Sequence, residues 1–114
     1  MSSPLQTLQT VFGYRAFRPF QEEIVNRLLA GEDSFVLMPT GGGKSLCYQI
    51  PALLRPGVAI VVSPLIALMK DQVDALTEAG LAATFLNSSL DPESRRERIR
   101  ALKAGAFELV YAAP

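Results

Sequence analysis

Apolar side chains recur along the chain in two ways, either with helical spacing or as short continuous runs. Near the start, Leu5, Leu8 and Val11 are spaced for one face of a helix, and Ser3 and Pro4 suit its cap and first turn. The same reasoning predicts helices over 4–12, 19–30, 44–54, 65–78 and 91–104. Continuous apolar runs predict strands over 34–38, 58–63, 82–86 and 107–111.

Three of these segments carry more detailed expectations. In the second helix, Phe20 is predicted to share an apolar face with Ile24 and Val25. Pro51 is expected to bend or end the third helix. The run over 58–63 is typical of a strand that is buried on both faces of a parallel sheet. Alternating strands and helices with short links predict one α/β domain over residues 1–114, with helices on both faces of a parallel sheet.

A glycine-rich loop lies between the first predicted strand and the third predicted helix. It consists of Met38, Pro39, Thr40, Gly41, Gly42, Gly43, Lys44 and Ser45. Glycines let backbone N–H groups close around an anion, and the following helix directs its positive end at the same place. Lys44 would then bind the β- and γ-phosphates of a nucleotide, and Ser45 would offer its hydroxyl to Mg²⁺. Met38 stands where the general phosphate-loop pattern has glycine, and a glycine-rich surface turn with an incidental lysine is the simpler alternative.

Composition narrows the class of protein without choosing its ligand. The 114 residues are 49% hydrophobic, which favours a folded domain over a disordered segment. Eleven basic and eleven acidic residues give no net charge, which argues neither for nor against nucleic acid. The single cysteine, Cys47, cannot form an internal disulfide and is expected to be buried. With no secretory signal pattern and no apolar run of about 20 residues, we expect an intracellular, soluble protein of the cytoplasm, nucleoid or nucleus with no membrane partner.

The segment before the loop contains groups that could recognise a base. Tyr14 offers an aromatic face for stacking, and the amide of Gln21 can pair with the N6 and N7 edge of adenine. The same residues also admit a purely structural interpretation. Tyr14 could pack at a helix end, Arg18 could be a solvated charge, and Gln21 could be a polar residue of the first helical turn.

Three segments together resemble the start of a RecQ-type superfamily-2 DNA helicase. The first is Phe-Gly-x-x-x-Phe-Arg-x-x-Gln, which begins at Phe12. The second is the glycine-rich loop together with the residues that follow it, Leu-Cys-Tyr-Gln-Ile-Pro-Ala-Leu. The third begins at Val61 and reads Val-Val-Ser-Pro-Leu-Ile-Ala-Leu-Met-Lys-Asp-Gln-Val. The resemblance extends to Pro114, and a methionine at the position of Met38 is what this family shows. It implies an incomplete RecA-like P-loop NTPase fold, in which residues 1–31 form the leading helices and the adenine-recognition segment.

The resemblance also implies roles for individual residues. Tyr14, Arg18 and Gln21 fall on the adenine-recognition segment, and Lys44 and Ser45 on the ligands of phosphate and of the Mg²⁺ bound with ATP. Contacts to single-stranded DNA are implied for Ser63, Pro64, Leu65, Lys70 and Asn87. Without the family, Ser63 and Pro64 are explained as a cap and a first-turn proline, Leu65 as core, and Lys70 as part of a solvated helix face.

Relatives of this type carry a later Asp-Glu-Ala-His segment and a second lobe with an arginine finger, and nothing in these 114 residues matches them. Because such an arginine contributes about 10³ to 10⁵ in rate, we expect a fragment that neither hydrolyses ATP usefully nor translocates alone. The leading hypothesis is the ATP-binding portion of a 3′-to-5′ DNA helicase of recombination and repair. The alternatives are a module whose loop grips a nucleic-acid phosphate, and a truncated, inactive reading frame. The sequence does not predict the oligomeric state.

Overall fold

The computed structural model describes residues 3–37 and 43–114, which divide into two compact units, Met1–Pro56 and Gly57–Pro114. The described part of the first unit contains three helices, α1 (Pro4–Val11), α2 (Gln21–Leu29) and α3 (Lys44–Leu54). No helix in the described residues is both long enough and apolar enough to cross a membrane.

A small apolar core joins the three helices of the first unit. Each helix contributes one fully buried residue, Leu8 from α1, Val25 from α2 and Ile50 from α3. Around them pack the partly buried side chains of Phe12, Phe17, Leu29, Leu46 and Leu54. The apolar spacing that predicted these helices therefore also identified the faces that meet.

Local hydrogen bonds explain where α1 begins. The hydroxyl of Ser3 accepts a bond from the backbone N–H of Gln6 at 3.1 Å, and the Gln6 side chain accepts one from the backbone N–H of Ser3 at 2.9 Å. This reciprocal capping box pairs two backbone N–H groups at the start of the helix. Pro4 occupies the first turn, as predicted.

The third helix runs to Leu54, as predicted, and Pro51 does not end it, because the buried residues around the proline hold the last turn against the core. Two other expectations for these segments were wrong. Phe20 does not share the apolar face of α2, since it caps that helix with a left-handed backbone and is 72% exposed. Residues 34–37 form no strand, and Phe35 is 95% exposed. A strand requires a hydrogen-bonded neighbour, which apolar sequence alone does not provide.

The second unit is a three-stranded parallel sheet with two helices. Its elements are β1 (Ala59–Val62), α4 (Ile66–Glu78), β2 (Ala83–Leu86), α5 (Pro92–Lys103) and β3 (Leu109–Ala112), and the strand order is β1-β3-β2. The connection from β1 to β2 passes the position of β3 to reach the far edge of the sheet, and the connection from β2 to β3 runs in the opposite direction. Right-handed crossovers then place α4 and α5 on opposite faces of the sheet.

Burial within the sheet supports this arrangement. Leu109, Val110 and Tyr111 are consecutive and all buried, so both faces of the central strand β3 are covered. The prediction that β1 is buried on both faces was wrong, because Ile60 and Val62 are 63% and 65% exposed. In the described sheet, β1 is an edge strand with one open face.

The two helices of this unit are held in different ways. α4 buries Met69, Val73 and Leu76, whereas α5 has no buried residue. Instead, the guanidinium of Arg98 donates to the hydroxyl of Thr84 and to the carbonyl of Phe85, both at 3.0 Å, and lies 4.6 Å from the centre of the Phe85 ring. The half-buried side chain of Arg98 therefore helps to attach α5 to β2.

Candidate functional site

The candidate phosphate site lies at the first turn of α3. Gly43 is the N-cap, with a left-handed backbone at φ 83° that a β-carbon would strain. Lys44 is exposed and Ser45 is half-buried. Together with the N–H groups that lack partners within the helix, they form a donor set suited to an anion. The other predicted loop residues, Met38, Pro39, Thr40, Gly41 and Gly42, lie outside the described residues.

The structure brings Gln21 to this helix end from 22 residues away in the sequence. Its side chain is only 1% exposed. Nε2 donates to the carbonyl oxygen of Gly43 at 3.0 Å, and Oε1 accepts from the backbone N–H of Arg18 at 2.7 Å. The amide that was predicted to bind adenine is thus bonded to the protein backbone on both of its sides.

Close packing around Gly43 requires the absence of a side chain there. A β-carbon on Gly43 would collide with Nε2 of Gln21 and would lie 3.7 Å from Cδ of Arg18. Predicted residues of the base segment and of the phosphate loop are therefore in direct contact. Sequence reasoning proposed both sets but missed this contact, because no local pattern links positions so far apart.

Cys47 lies one turn into α3 and was correctly predicted to be buried. Its Sγ is 3.8 Å from the carbonyl oxygen of Gly43, to which it donates a weak hydrogen bond. Burial raises the pKa of the Cys47 thiol, and an interaction with the backbone of Cys47 itself partly opposes that rise. The thiol therefore stays protonated and packs as a small apolar group.

Tyr14 and Arg18 are exposed residues of the connector between α1 and α2. Tyr14 is 54% exposed, and its backbone N–H donates to the carbonyl of Leu8 at 3.3 Å. Its ring is thus accessible for stacking, as the prediction required. Phe20, which sequence reasoning assigned to a helix face, is a second exposed aromatic side chain directly before Gln21. The feature of the sequence that could have indicated the exposure of Phe20 is the Pro-Phe-Gln junction, where the chain turns into α2.

In the second unit, two of the predicted DNA-contacting positions lie at the same end of the sheet. The ladder aligns Val62, Ala112 and Leu86, so Ser63 and Asn87 both follow the carboxyl ends of their strands. With β3 between them, they are about 10 Å apart by ordinary strand spacing. The backbone N–H of Ser63 donates to the carbonyl of Ala112 at 3.0 Å, which fixes this edge.

The start of α4 presents the next predicted residues. The Ser63 hydroxyl accepts from the backbone N–H of Leu65 at 3.1 Å, which forms a tight turn through Pro64. Leu65 is the N-cap of α4 and is 57% exposed, so the expectation from residue type that it belongs to the core was wrong. It caps the helix by its backbone, and the turn directs its side chain to solvent.

Lys70 and Asn87 have protein partners. Lys70 is exposed and donates to Asp74 at 2.7 Å, and this hydrogen bond and the Asp74 charge raise the pKa of Lys70. Asn87 is only 7% exposed. Its Nδ2 lies 3.4 Å from the Met69 sulfur, and its Oδ1 accepts from the backbone N–H of Ser89 at 2.8 Å. The described conformation uses the Asn87 amide to join β2, α4 and the following turn.

Comparison with known proteins places the chain in a family. The family model described as DEAD/DEAH box helicase matches residues 18–114. The chain is 52% identical over 110 residues to the ATP-dependent DNA helicase RecQ of Haemophilus influenzae, covering 96% of this chain and 18% of that protein. It is 47% identical over 114 residues to the ATP-dependent helicase SGS1 of Saccharomyces cerevisiae, covering 96% of this chain and 8% of that protein.

A solved structure agrees with the fold. The chain superimposes on the crystal structure of a hypothetical ATP-dependent RNA helicase from Sulfolobus tokodaii with a TM-score of 0.78 and 21% identity, covering 100% of this chain and 34% of that one. This likeness supports the fold alone, and it confirms the predicted RecA-like architecture. The chain spans less than a fifth of the length of the curated relatives named above. The predicted resemblance to RecQ-type helicases is confirmed, and the chain belongs to the DEAD/DEAH box helicase family.

Proposed function

We propose that this chain binds ATP together with Mg²⁺ and forms the ATP-binding portion of a RecQ-like 3′-to-5′ DNA helicase, which acts on DNA inside the cell in recombination and repair. The observation that carries the proposal is the arrangement at the start of α3. There a left-handed glycine, an exposed lysine and a hydroxyl share the first helical turn after a glycine-rich loop. The donor set fits a triphosphate in chemistry and in charge.

Each residue has a distinct part in binding. The N–H groups and the positive end of α3 attract the phosphates, and the ammonium group of Lys44 supplies a full charge to their outer oxygens. Mg²⁺, when bound, would neutralise charge between the β- and γ-phosphates, and the Ser45 hydroxyl is the protein ligand that we assign to it. Tyr14 and Gln21 would recognise adenine, with Arg18 beside them.

The DNA-binding part of the proposal rests on the carboxyl edge of the sheet in the second unit. Ser63, Leu65 and Lys70 lie at or near the start of α4, where exposed polar and apolar groups could contact a strand of DNA. Pro64 shapes the turn between Ser63 and Leu65. The proposed contribution of Asn87 is indirect, because its buried amide supports this edge.

Nucleotide binding can be tested with a titration of a fluorescent ATP analogue in the presence of Mg²⁺. Losing a charge-assisted hydrogen bond costs about 1.5–3 kcal/mol, so Lys44→Ala should weaken binding by roughly 10- to 150-fold. Lys103→Ala, which removes another exposed lysine from the last turn of α5, serves as the matched control and should change affinity less than twofold. Equal affinities for wild type and Lys44→Ala would refute the assignment of the loop.

Competition between nucleotides separates the proposal from its main alternative. A site that recognises adenine through Gln21 should prefer ATP over GTP, because guanine presents acceptors where adenine presents a donor and an acceptor. A module that grips only a nucleic-acid phosphate has no reason to distinguish the two. Equal competition by ATP and GTP would therefore favour that alternative.

A further inference from the structure

The basic side chains of the second unit are concentrated on α5. Between Gly57 and Pro114 the chain has six basic residues, and five of them lie in this helix, whereas five of the seven acidic residues lie outside it. The zero net charge of the whole chain therefore hides a local excess of positive charge. The distribution of charge, rather than its sum, is what indicates a surface that binds a polyanion.

Three of these residues share the side of α5 that points away from the sheet. Arg98 lies against β2, through its bonds to Thr84 and Phe85. Arg96, Arg100 and Lys103 are spaced by four and three residues, which places them together on the opposite side of the helix. All three are exposed. We call this side the outer face of α5.

The fold itself does not account for the charges on the outer face of α5. The helix has no buried residue, and within the described residues no ion pair involves it. Like charges one turn apart on a helix repel each other, so Arg96 and Arg100 oppose helix formation. The helix dipole favours the cations of the last turn, Arg100 and Lys103, but Arg96 lies nearer the start. Its Nε donates only a long bond, 3.4 Å, to the Pro92 carbonyl. A bound polyanion would relieve this repulsion.

The outer face of α5 begins at the edge of the sheet where the DNA contacts are proposed. Asn87 directly follows β2 at this edge, and Asp91 caps α5 four residues later. By the rise of a helix, Arg96 and Arg100 lie about 6 and 12 Å along the axis from the first residue of α5. A strand of DNA that crosses the edge beside Asn87 can therefore continue along the helix.

We propose that the outer face of α5 binds the phosphate backbone of single-stranded DNA, with Arg96 and Arg100 as the principal contacts. This inference rests on the proposed DNA-binding function and extends the contact surface from the carboxyl edge to a second side of the unit. Guanidinium groups suit the task, because they form bidentate, charge-assisted hydrogen bonds with phosphate. Contacts to the backbone carry no sequence information, so the outer face binds strands of any sequence.

The salt dependence of DNA binding measures how many phosphates the chain contacts. Fluorescence anisotropy of a labelled oligothymidylate gives the affinity at each salt concentration, and each phosphate contact on a single strand contributes about 0.7 to the slope of log affinity against log salt. Replacing both Arg96 and Arg100 with glutamine should make this slope shallower by about 1.4. The double substitution should also weaken binding at low salt by roughly 2- to 30-fold. Replacing Arg27 and Arg55, two exposed arginines of the first unit, with glutamine is the control and should leave the slope unchanged.

A substitution that should strengthen binding excludes unfolding as the explanation. Glu97 is exposed beside the outer face of α5, three positions before Arg100. Its carboxylate repels a phosphate, so Glu97→Gln should raise the affinity for the oligothymidylate at low salt by roughly 1.5- to 5-fold. Glu78→Gln removes an exposed carboxylate from the end of α4, on the opposite face of the sheet, and should leave the affinity unchanged.

A shallower slope for the double arginine variant and tighter binding by Glu97→Gln, with both controls unchanged, support the inference. If wild type binds the oligothymidylate and the α5 variants bind it equally well, the inference is overturned, and the proposed DNA contacts remain at the carboxyl edge alone. Binding of polyglutamate but not of the oligothymidylate would assign the outer face of α5 to an acidic protein and would also overturn the inference. If wild type binds neither, the DNA-binding part of the proposed function fails as well, whereas the ATP titration tests nucleotide binding separately.

Discussion

Replacing Gly43 with alanine tests the packing at the start of α3 most directly. The substitution adds a single methyl group, and it does so at the point where the base segment and the phosphate loop meet. Gly43 has φ 83°, and its β-carbon would collide with Nε2 of Gln21. The new methyl group therefore has two effects: it strains the left-handed backbone at residue 43, and it displaces the buried amide of Gln21.

The two costs can be given separate magnitudes. A left-handed backbone costs a residue with a β-carbon about 1–2 kcal/mol. Displacing the Gln21 amide leaves buried polar groups without partners, at about 1–3 kcal/mol. Gly43→Ala should thus destabilise the first unit by roughly 2–5 kcal/mol in total. For a unit of this size, that is a large part of its whole stability.

Gly31→Ala isolates the backbone cost. Gly31 also has φ 83°, but within the described residues a β-carbon there would meet no atom within 4 Å. The entropy that glycine gives the unfolded chain is the same for both positions and cancels in the comparison. Gly31→Ala should therefore cost about 1–2 kcal/mol, and the difference between the two variants measures the crowding of Gln21.

Hydrogen exchange followed by mass spectrometry reports this difference within α3 itself. An additional 1–3 kcal/mol corresponds to roughly 5- to 150-fold faster exchange of α3 amides in Gly43→Ala than in Gly31→Ala. In a background that carries Gln21→Ala, the additional effect of Gly43→Ala should vanish, because the colliding group is gone. Equal exchange in the two glycine variants, or an excess that survives in the Gln21→Ala background, would refute the packing on which the reasoning depends.

Two further predictions concern the second unit. Arg98→Lys should speed hydrogen exchange in β2 by an amount equivalent to about 1–2 kcal/mol, because lysine cannot reproduce the paired bonds and the contact with the Phe85 ring. The exposed control Arg95→Lys should change this exchange by less than about 0.5 kcal/mol. Equal effects of the two substitutions would contradict the attachment of α5 through Arg98. The hydrogen bond from the Ser94 backbone lowers the pKa of Asp91 in the folded protein. The stability that this cap provides is therefore present above the ordinary carboxyl pKa, and it is lost as pH falls through the lowered pKa of Asp91. Unfolding curves at decreasing acidic pH should show this loss of stability in wild type but not in Asp91→Asn, and the same pH dependence in both proteins would assign the loss to other carboxylates.

The sequence predicted helices well because the signals that begin and end them are local. The capping box of Ser3 and Gln6 and the cap of Asp91 on Ser94 each involve residues three positions apart. Such bonds form within one turn whatever the rest of the chain does. The predicted and observed helix bounds accordingly differ by only one or two residues at most ends.

The errors arise where the outcome depends on distant partners. Whether 34–37 is a strand depends on a neighbouring backbone, and whether β1 is covered on both faces depends on what packs against it. The exposed positions of Phe20 and Leu65 follow from the turns that lead into α2 and α4. For the candidate site, the glycine-rich pattern predicted a phosphate-binding loop, but nothing in the sequence indicated that Gln21 would bond to Gly43.

Burial divides the predicted ligand residues into two kinds with different physical tasks. Exposed groups such as Lys44 and Tyr14 can contact a ligand without rearrangement of the fold. A buried amide such as Gln21 or Asn87 can persist only if the protein satisfies its hydrogen bonds, so its first partners are parts of the fold. Each of these two amides lies against a helix that carries candidate ligand contacts at its start, α3 for Gln21 and α4 for Asn87. Substitution of either amide should therefore change the geometry of a whole helix end, whereas substitution of an exposed residue removes one contact.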